Sequence, residues 1–310
     1  MKRSDTGHSG TEMRPSSKTE HPSPGSRPRG ALTERESAAR VRDMFSDIAP
    51  RYDLLNRLLS LRMDVKWRRR TAEKFRRIYR RTDARILDLC CGTGDLALAL
   101  ENERVRVIRD PSAHRIPIVG CDFAHPMLKL AKKKARAASC SAVFINADAL
   151  NMPFADETFD LVATAFGFRN LADYEGGLRE IARVLKPAGR IAILEFSEPK
   201  HGALARVFRF YFKRILPVVG RAISGNRTAY SYLPSSVSTF PSPRELTSLM
   251  TKTGFTDVRH ESWNFGGVIL HTARTPAAPE IDVELEGESE NFSRGNANAG
   301  NRGDYSETES

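Results

Sequence analysis

With 310 residues, 40% of them apolar, the chain is long enough to bury one large core or two ordinary ones. Its formal net charge of +11 keeps nucleic acid, an anionic membrane and an acidic substrate open as partners. No window approaches the roughly 18 apolar residues of a spanning helix, and the start MKRSDTGHSG lacks a secretory apolar stretch, so a soluble, unsecreted protein is expected.

Residues 1–30 are crowded with Ser, Pro, Gly and charge and read as a disordered tail, and the acidic stretch 276–310 reads the same way. Asp5, Glu12 and Glu20 speak against a mitochondrial presequence. Residues 31–275 remain as one α/β domain of about 245 residues. Residues 33–81 read as helices ahead of the sheet and end in the basic run WRRRTAEKFRRIYRR. ARILDL (84–89) is the first strand and DLALALEN (95–102) its helix; PIVGCD (117–122) is the second strand. HPMLKLAKKKARAA (125–138) is a helix with Met127, Leu128 and Ala131 inward and a lysine face outward. AVFINAD, FDLVATAF and RIAILEF are the third to fifth strands, with a helix over LREIARVLKPAGR that ends at Lys186, where Pro187 and Gly189 stop it. Residues 199–219 form a long amphipathic helix, a lid candidate, and FTDVRHESW and GVILHTAR form a hairpin around Asn264, Phe265 and Gly266. The four cysteines, Cys90, Cys91, Cys121 and Cys140, lack metal-ligand spacing, which indicates no zinc site and suits a reducing compartment.

The chemistry is concentrated in ILDLCCGTGDLALAL. Gly92, Gly94 and Ala97 match G-x-G-x-x-G/A, a pattern that often holds a dinucleotide. A pyrophosphate, however, wants the bare positive end of a helix, and here Asp88 and Asp95 set two carboxylates beside the loop. S-adenosylmethionine (SAM) carries an ammonium and a sulfonium and no phosphate, so it meets these conditions. Asp122, at the tip of the second strand, is placed to accept from ribose hydroxyls, and Asp148 with Ala149, after the third, to meet the adenine amino group. Helix capping or a solvated loop is the alternative for each aspartate taken singly.

The chain resembles the ubiquinone and menaquinone biosynthesis C-methyltransferases of the UbiE and MenG type from about Val41 to Ala273. The carriers are FSDIAPRYDLLNRLLSL, LDLCCGTGD, ADALNMPFADETFD, FGFRNLAD and RVLKPAGRIAILEFSEP. LDLxxGTGD and RVLKPxGR occur widely among class I methyltransferases; AFGFRN with APRYDLLN narrows the match to quinone methylation. The resemblance implies a Rossmann-like, mostly parallel seven-stranded sheet with an antiparallel C-terminal hairpin, extra N-terminal helices and an inserted lid helix. It implies cofactor contacts at Thr93, Asp122, Asp148 and Ala149, and at Ala165 a backbone contact, where the family typically has serine. SLRMDVKW departs from the family's more usual Gly-x-His, which affects Arg62 and Asp64.

Methylation of an aromatic carbon needs an electron-rich ring, so the expected acceptor is a prenylated quinol, a naphthoquinol ahead of a benzoquinol. Arg169 and Asn170 are candidate donors to the developing phenolate; a structural ion pair to a carboxylate such as Asp173 is the alternative for Arg169. Tyr52 and Asp53 either close over the methionine end or serve as core residue and helix cap. In GALARVFRFYFKRILPVVG, Leu204, Val207, Phe208, Tyr211, Phe212 and Ile215 share one face, which suits an interfacial helix, a channel for the prenyl tail or a packed lid. A cytoplasmic protein with transient contact at the inner face of the cell membrane is expected, and an oligomer stays open. No RNA-binding appendage and no DPPY-like or NPPF-like motif points to nucleic acid. A nicotinamide enzyme and a non-catalytic SAM-binding protein remain rival readings.

Overall fold

The computed structural model describes residues 25, 26, 28, 31, 33–110, 112–198, 206, 210, 214 and 227–278. The amphipathic stretch 199–219, apart from residues 206, 210 and 214, and the acidic tail after residue 278 lie outside them.

Strands β1 (Ile86–Leu89), β2 (Val119–Asp122), β3 (Val143–Asn146), β4 (Phe159–Ala165), β5 (Leu185–Phe196), β6 (Thr256–Trp263) and β7 (Val268–Arg274) form one sheet in the order β3-β2-β1-β4-β5-β7-β6. The first five pair in parallel, and β7 runs antiparallel to both β5 and β6. The expected parallel sheet closed by an antiparallel hairpin is therefore present. All four residues of β1 are buried, as helices on both faces of a parallel strand require. Alternation then divides the core. Ile86 joins Leu96, Leu100 and Leu128 on one face of the sheet, while Leu87 and Leu89 join Leu178, Ile181 and Leu246 on the other. Each buried leucine of this kind contributes about 1.5–3 kcal/mol.

Helices α4 (Asp95–Ile108), α5 (His125–Ala137) and α6 (Tyr174–Val184) cover the faces, and α7 (Arg227–Thr239) and α8 (Pro243–Lys252) precede the hairpin. The sequence places the end of α6 at Lys186; it stops at Val184, because Leu185 is already extended and pairs with Phe159. The register then jumps from Phe159–Leu185 to Leu161–Arg190, so Lys186 to Gly189 bulge out of the ladder.

Ahead of the sheet lie α1 (Glu34–Leu59), α2 (Met63–Glu73) and α3 (Arg76–Tyr79). A capping box starts α1: Glu36 N donates to Thr33 Oγ1 at 3.1 Å and Thr33 N to Glu36 Oε2 at 3.3 Å. Arg62, where the resemblance favours glycine, has φ of 62° at the N-cap of α2. Ile48 and Ala49 of α1 pack with Ala124, Met127 and Val237, so α1 roofs the carboxyl end of β2. The strand order reverses between β1 and β4, which opens the ligand crevice of this fold class at that end.

Candidate active site

A cavity open to solvent occupies that crevice, with about 710 Å³ of empty space that includes its mouth. Tyr52 and Phe45 of α1 form its roof, Gly92 and Asp122 one side, Asp148 and Ala149 another, and Phe166, Gly167, Asn170 and Leu171 the wall after β4.

The two glycines of the loop do different work. Gly92, at φ 53°, lines the cavity, and a Cβ there would come 3.9 Å from the Tyr52 ring. Gly94, at φ 82°, is the N-cap of α4; its Cβ would press on the Phe144 ring at 3.1 Å. Gly92 N donates to Asp122 Oδ2 at 2.8 Å and Ala124 N to Asp122 Oδ1 at 2.9 Å. Burial nevertheless raises the Asp122 carboxyl to about 6, against the pull of those N–H groups. Asp148 is exposed at the far end, its Oδ1 accepting from Leu150 N at 2.9 Å, and Ala149 is buried beside it.

Asp88 is not among the lining residues. It shares the β1 face of Ile86, where its Oδ2 accepts from Ala97 N at 2.8 Å, and burial pushes it up to about 8. Asp95 accepts from Arg57 Nη2 at 2.7 Å and from Lys134, with Arg68 Nη1 3.7 Å away. Burial alone would raise Asp95, but Arg68, Lys134 and Arg57 outweigh it and hold the carboxyl below its usual range. The pair of acids that the sequence sets against a pyrophosphate is thus neutral in one case and compensated in the other. The acids that reach the cavity are Asp122 and Asp148, and no lysine, arginine or histidine is among the described lining residues. That donor set fits SAM, whose charge is positive and whose ribose needs acceptors; it offers a diphosphate no cation.

The roof is fastened to the loop by ions. Thr93 Oγ1 donates to Asp53 Oδ1 at 2.6 Å, and Lys134 Nζ donates to Asp53 Oδ2 at 2.9 Å and to Thr93 Oγ1 at 3.1 Å. Asp53 is therefore a strut between α1 and the loop and caps no helix, and the Thr93 hydroxyl turns toward α1. Lys134 breaks the outward lysine face expected of α5. Arg68 Nη1 and Ser60 Oγ hold Asp64 at 2.5 and 2.7 Å, which joins α2 to the same network.

Among the acceptor-side residues, Asn170 lines the cavity and Arg169 does not. Arg169 is 4% exposed, and its Nη1 donates to Glu195 Oε2 at 2.9 Å and to the Phe166 carbonyl. Its backbone N donates to Glu195 Oε1 at 3.1 Å. The carboxylate partner is Glu195, not Asp173. Ala165 ends β4 half-buried and outside the lining, with Phe166, at φ 63°, turning the chain into the wall. Glu195 and Lys134 carried no signal as site residues, since each acts through a partner far along the chain.

The profile of the ubiE/COQ5 methyltransferase family matches residues 33–275. A demethylmenaquinone methyltransferase of Thermus thermophilus is 50% identical over 233 residues, 75% of this chain and 100% of that protein. One of Deinococcus radiodurans is 45% identical over 75% of this chain and 91% of its own length. The ubiquinone/menaquinone biosynthesis C-methyltransferase UbiE of Geobacter sulfurreducens is 44% identical over 76% of this chain and 89% of its own. In fold, the chain is similar to a SAM-dependent methyltransferase from Thermotoga maritima, with a TM-score of 0.53 and 18% identity, covering 75% of this chain and 99% of that one. Fold, crevice and sequence agree: the chain belongs to the ubiE/COQ5 methyltransferase family and is a SAM-dependent methyltransferase.

Proposed function

We propose that the chain methylates a ring carbon of a prenylated quinol, demethylmenaquinol giving menaquinol. The observation that supports the reading is the cavity wall, where Asn170 lines the same space as Asp122. The match to relatives named demethylmenaquinone methyltransferase across 91–100% of their length supports the naphthoquinol. The Geobacter relative, named for both quinones, keeps the benzoquinol as the second reading.

SAM, when bound, supplies an electrophilic methyl group. On this reading Asp122 holds the ribose hydroxyls, Asp148 and Ala149 meet the adenine, and the backbone of Gly92, Thr93 and Gly94 passes beside the methionine end. Ala165 contributes backbone only, and Asp88 shapes the loop through Ala97. Asn170 donates its NH₂ to the quinol oxygen that gains charge, and Arg169, fixed by Glu195, adds a preorganised positive field behind it. Tyr52 and Phe45 roof the site against water; their rings meet edge to face at 5.9 Å. Holding both reactants in register is worth on the order of 7–11 kcal/mol.

Residues 31–275 act as one catalytic domain. No helix of the described residues is long and apolar enough to cross a membrane. On this reading the water-insoluble prenyl tail of the acceptor brings the protein into transient contact with the inner face of the cell membrane, from the cytoplasm, and nucleic acid is no partner. The test is transfer of labelled methyl from SAM to demethylmenaquinol, demethylated benzoquinol and transfer RNA in parallel. Label in the naphthoquinol is expected; label in RNA alone would overturn the reading.

A further inference from the structure

Gly25 and Ser26 precede α1, in the stretch whose composition reads as a tail, yet they sit against the turn that carries Asn170. A Cβ at Gly25 would lie 1.8 Å from the Ala172 carbonyl oxygen, so only glycine allows this approach. Ser26 N donates to Leu171 O at 2.8 Å, and Ser26 is 2% exposed. Its hydroxyl lies 2.6 Å from the Tyr232 hydroxyl of α7, which donates to Asn170 Oδ1 at 3.1 Å.

The hydrogens set the direction of this chain. A phenol has one proton, and with it given to Asn170 Oδ1 the Tyr232 oxygen accepts from Ser26. An amide held by its oxygen cannot flip without losing that bond, which leaves its NH₂ for the cavity that Asn170 lines. Burial, first among the causes, raises the Tyr232 phenol, so it keeps its proton at neutral pH.

We propose that Tyr232, anchored by Ser26 of the N-terminal segment, is a positioning residue that orients the Asn170 amide with its NH₂ toward the methyl acceptor. This rests on the reading of Asn170 as donor to the quinol oxygen. The segment before α1 is then part of the acceptor site, joined to it through a residue more than 200 positions away.

The test is a double-mutant cycle in the full chain: wild type, Tyr232→Phe, Asn170→Ala and the pair, assayed with SAM and demethylmenaquinol in detergent micelles. Tyr232→Phe is expected to lower kcat about tenfold with SAM affinity unchanged, and to lower Tm by only a few degrees for the two hydrogen bonds it removes. The pair should match Asn170→Ala alone, because Tyr232 then has nothing to orient. Ser26→Ala should give a smaller loss in the same parameter. If the two losses multiply, or Tyr232→Phe keeps wild-type kcat while Asn170→Ala is impaired, the positioning role is overturned and the reading of Asn170 stands. Unaltered kcat in Asn170→Ala overturns both.

Discussion

Replacing Arg169 by methionine removes a charge whose partner cannot leave. Glu195 is 1% exposed and Arg169 4%, with Nη1 to Oε2 at 2.9 Å, so the variant strands a carboxylate in the core. Breaking a buried pair from one side costs about 3–5 kcal/mol, against a total stability of about 5–15 kcal/mol for a domain. For a domain of this size 1 kcal/mol is about 2–4 °C in Tm, so a fall on the order of 10 °C is expected. Arg169→Met with Glu195→Gln leaves no unpaired charge and should recover most of that loss. Turnover should not recover, since the positive field behind Asn170 is gone in both proteins. Differential scanning calorimetry and steady-state methyl transfer read the two quantities separately. A single variant with wild-type Tm would refute the buried pair, and a double variant with wild-type kcat would refute the catalytic contribution.

Other outcomes follow from the same geometry. With Asp122 at about 6, the ribose acceptor is lost as pH falls through that value, so SAM affinity measured by calorimetry should drop about tenfold per unit below it, and Asp122→Asn should weaken binding and flatten the profile. Asp88, at about 8, is raised above its unfolded value near 4, so the folded state holds a proton that the unfolded chain has lost between those limits. Stability therefore falls as pH rises from 4 to 8, on the order of 1 kcal/mol per unit for this group. Denaturant titrations of Asp88→Asn should show that slope reduced. Lys134→Ala removes the α5 cation shared by Asp53, Thr93 and Asp95 and leaves α1 tied to the loop by the Thr93–Asp53 bond alone and to α4 by Arg57–Asp95; SAM should dissociate faster in stopped-flow binding, with kcat little changed at saturating cofactor.

The strands were readable because each is a short β-rich run between turn residues, and Asp122 because it closes IVGCD at a strand tip. In the sequence Asp88 reads as a charge beside the loop, whereas the structure buries it against α4. Alternation from Ile86 already puts it on the α4 face, away from the cavity, and its missing charge is a consequence of burial that no pattern displays. Lys134 reads as one lysine of a solvated face; its bonds to Asp53 and Asp95 span 81 and 39 residues and exist only once α5 meets α1 and the start of α4. For Arg169 the sequence offers a nearby carboxylate such as Asp173 as an alternative ion-pair partner, whereas Glu195 comes from the neighbouring strand, 26 residues on. Gly25 and Ser26 were invisible in composition, since their burial depends on the Ala172 backbone they meet. The amphipathic run at 199–219 lies almost wholly outside the described residues and its role rests on the sequence alone.

The acids lining the crevice choose a cationic, phosphate-free cofactor, and isothermal titration with SAM, NAD and NADP tests that choice most directly. One SAM per chain, weakened at least about tenfold by Asp122→Asn, with no heat from either dinucleotide, is the predicted result. Tight binding of a dinucleotide, sensitive to the same substitution and unaccompanied by SAM binding, would contradict it.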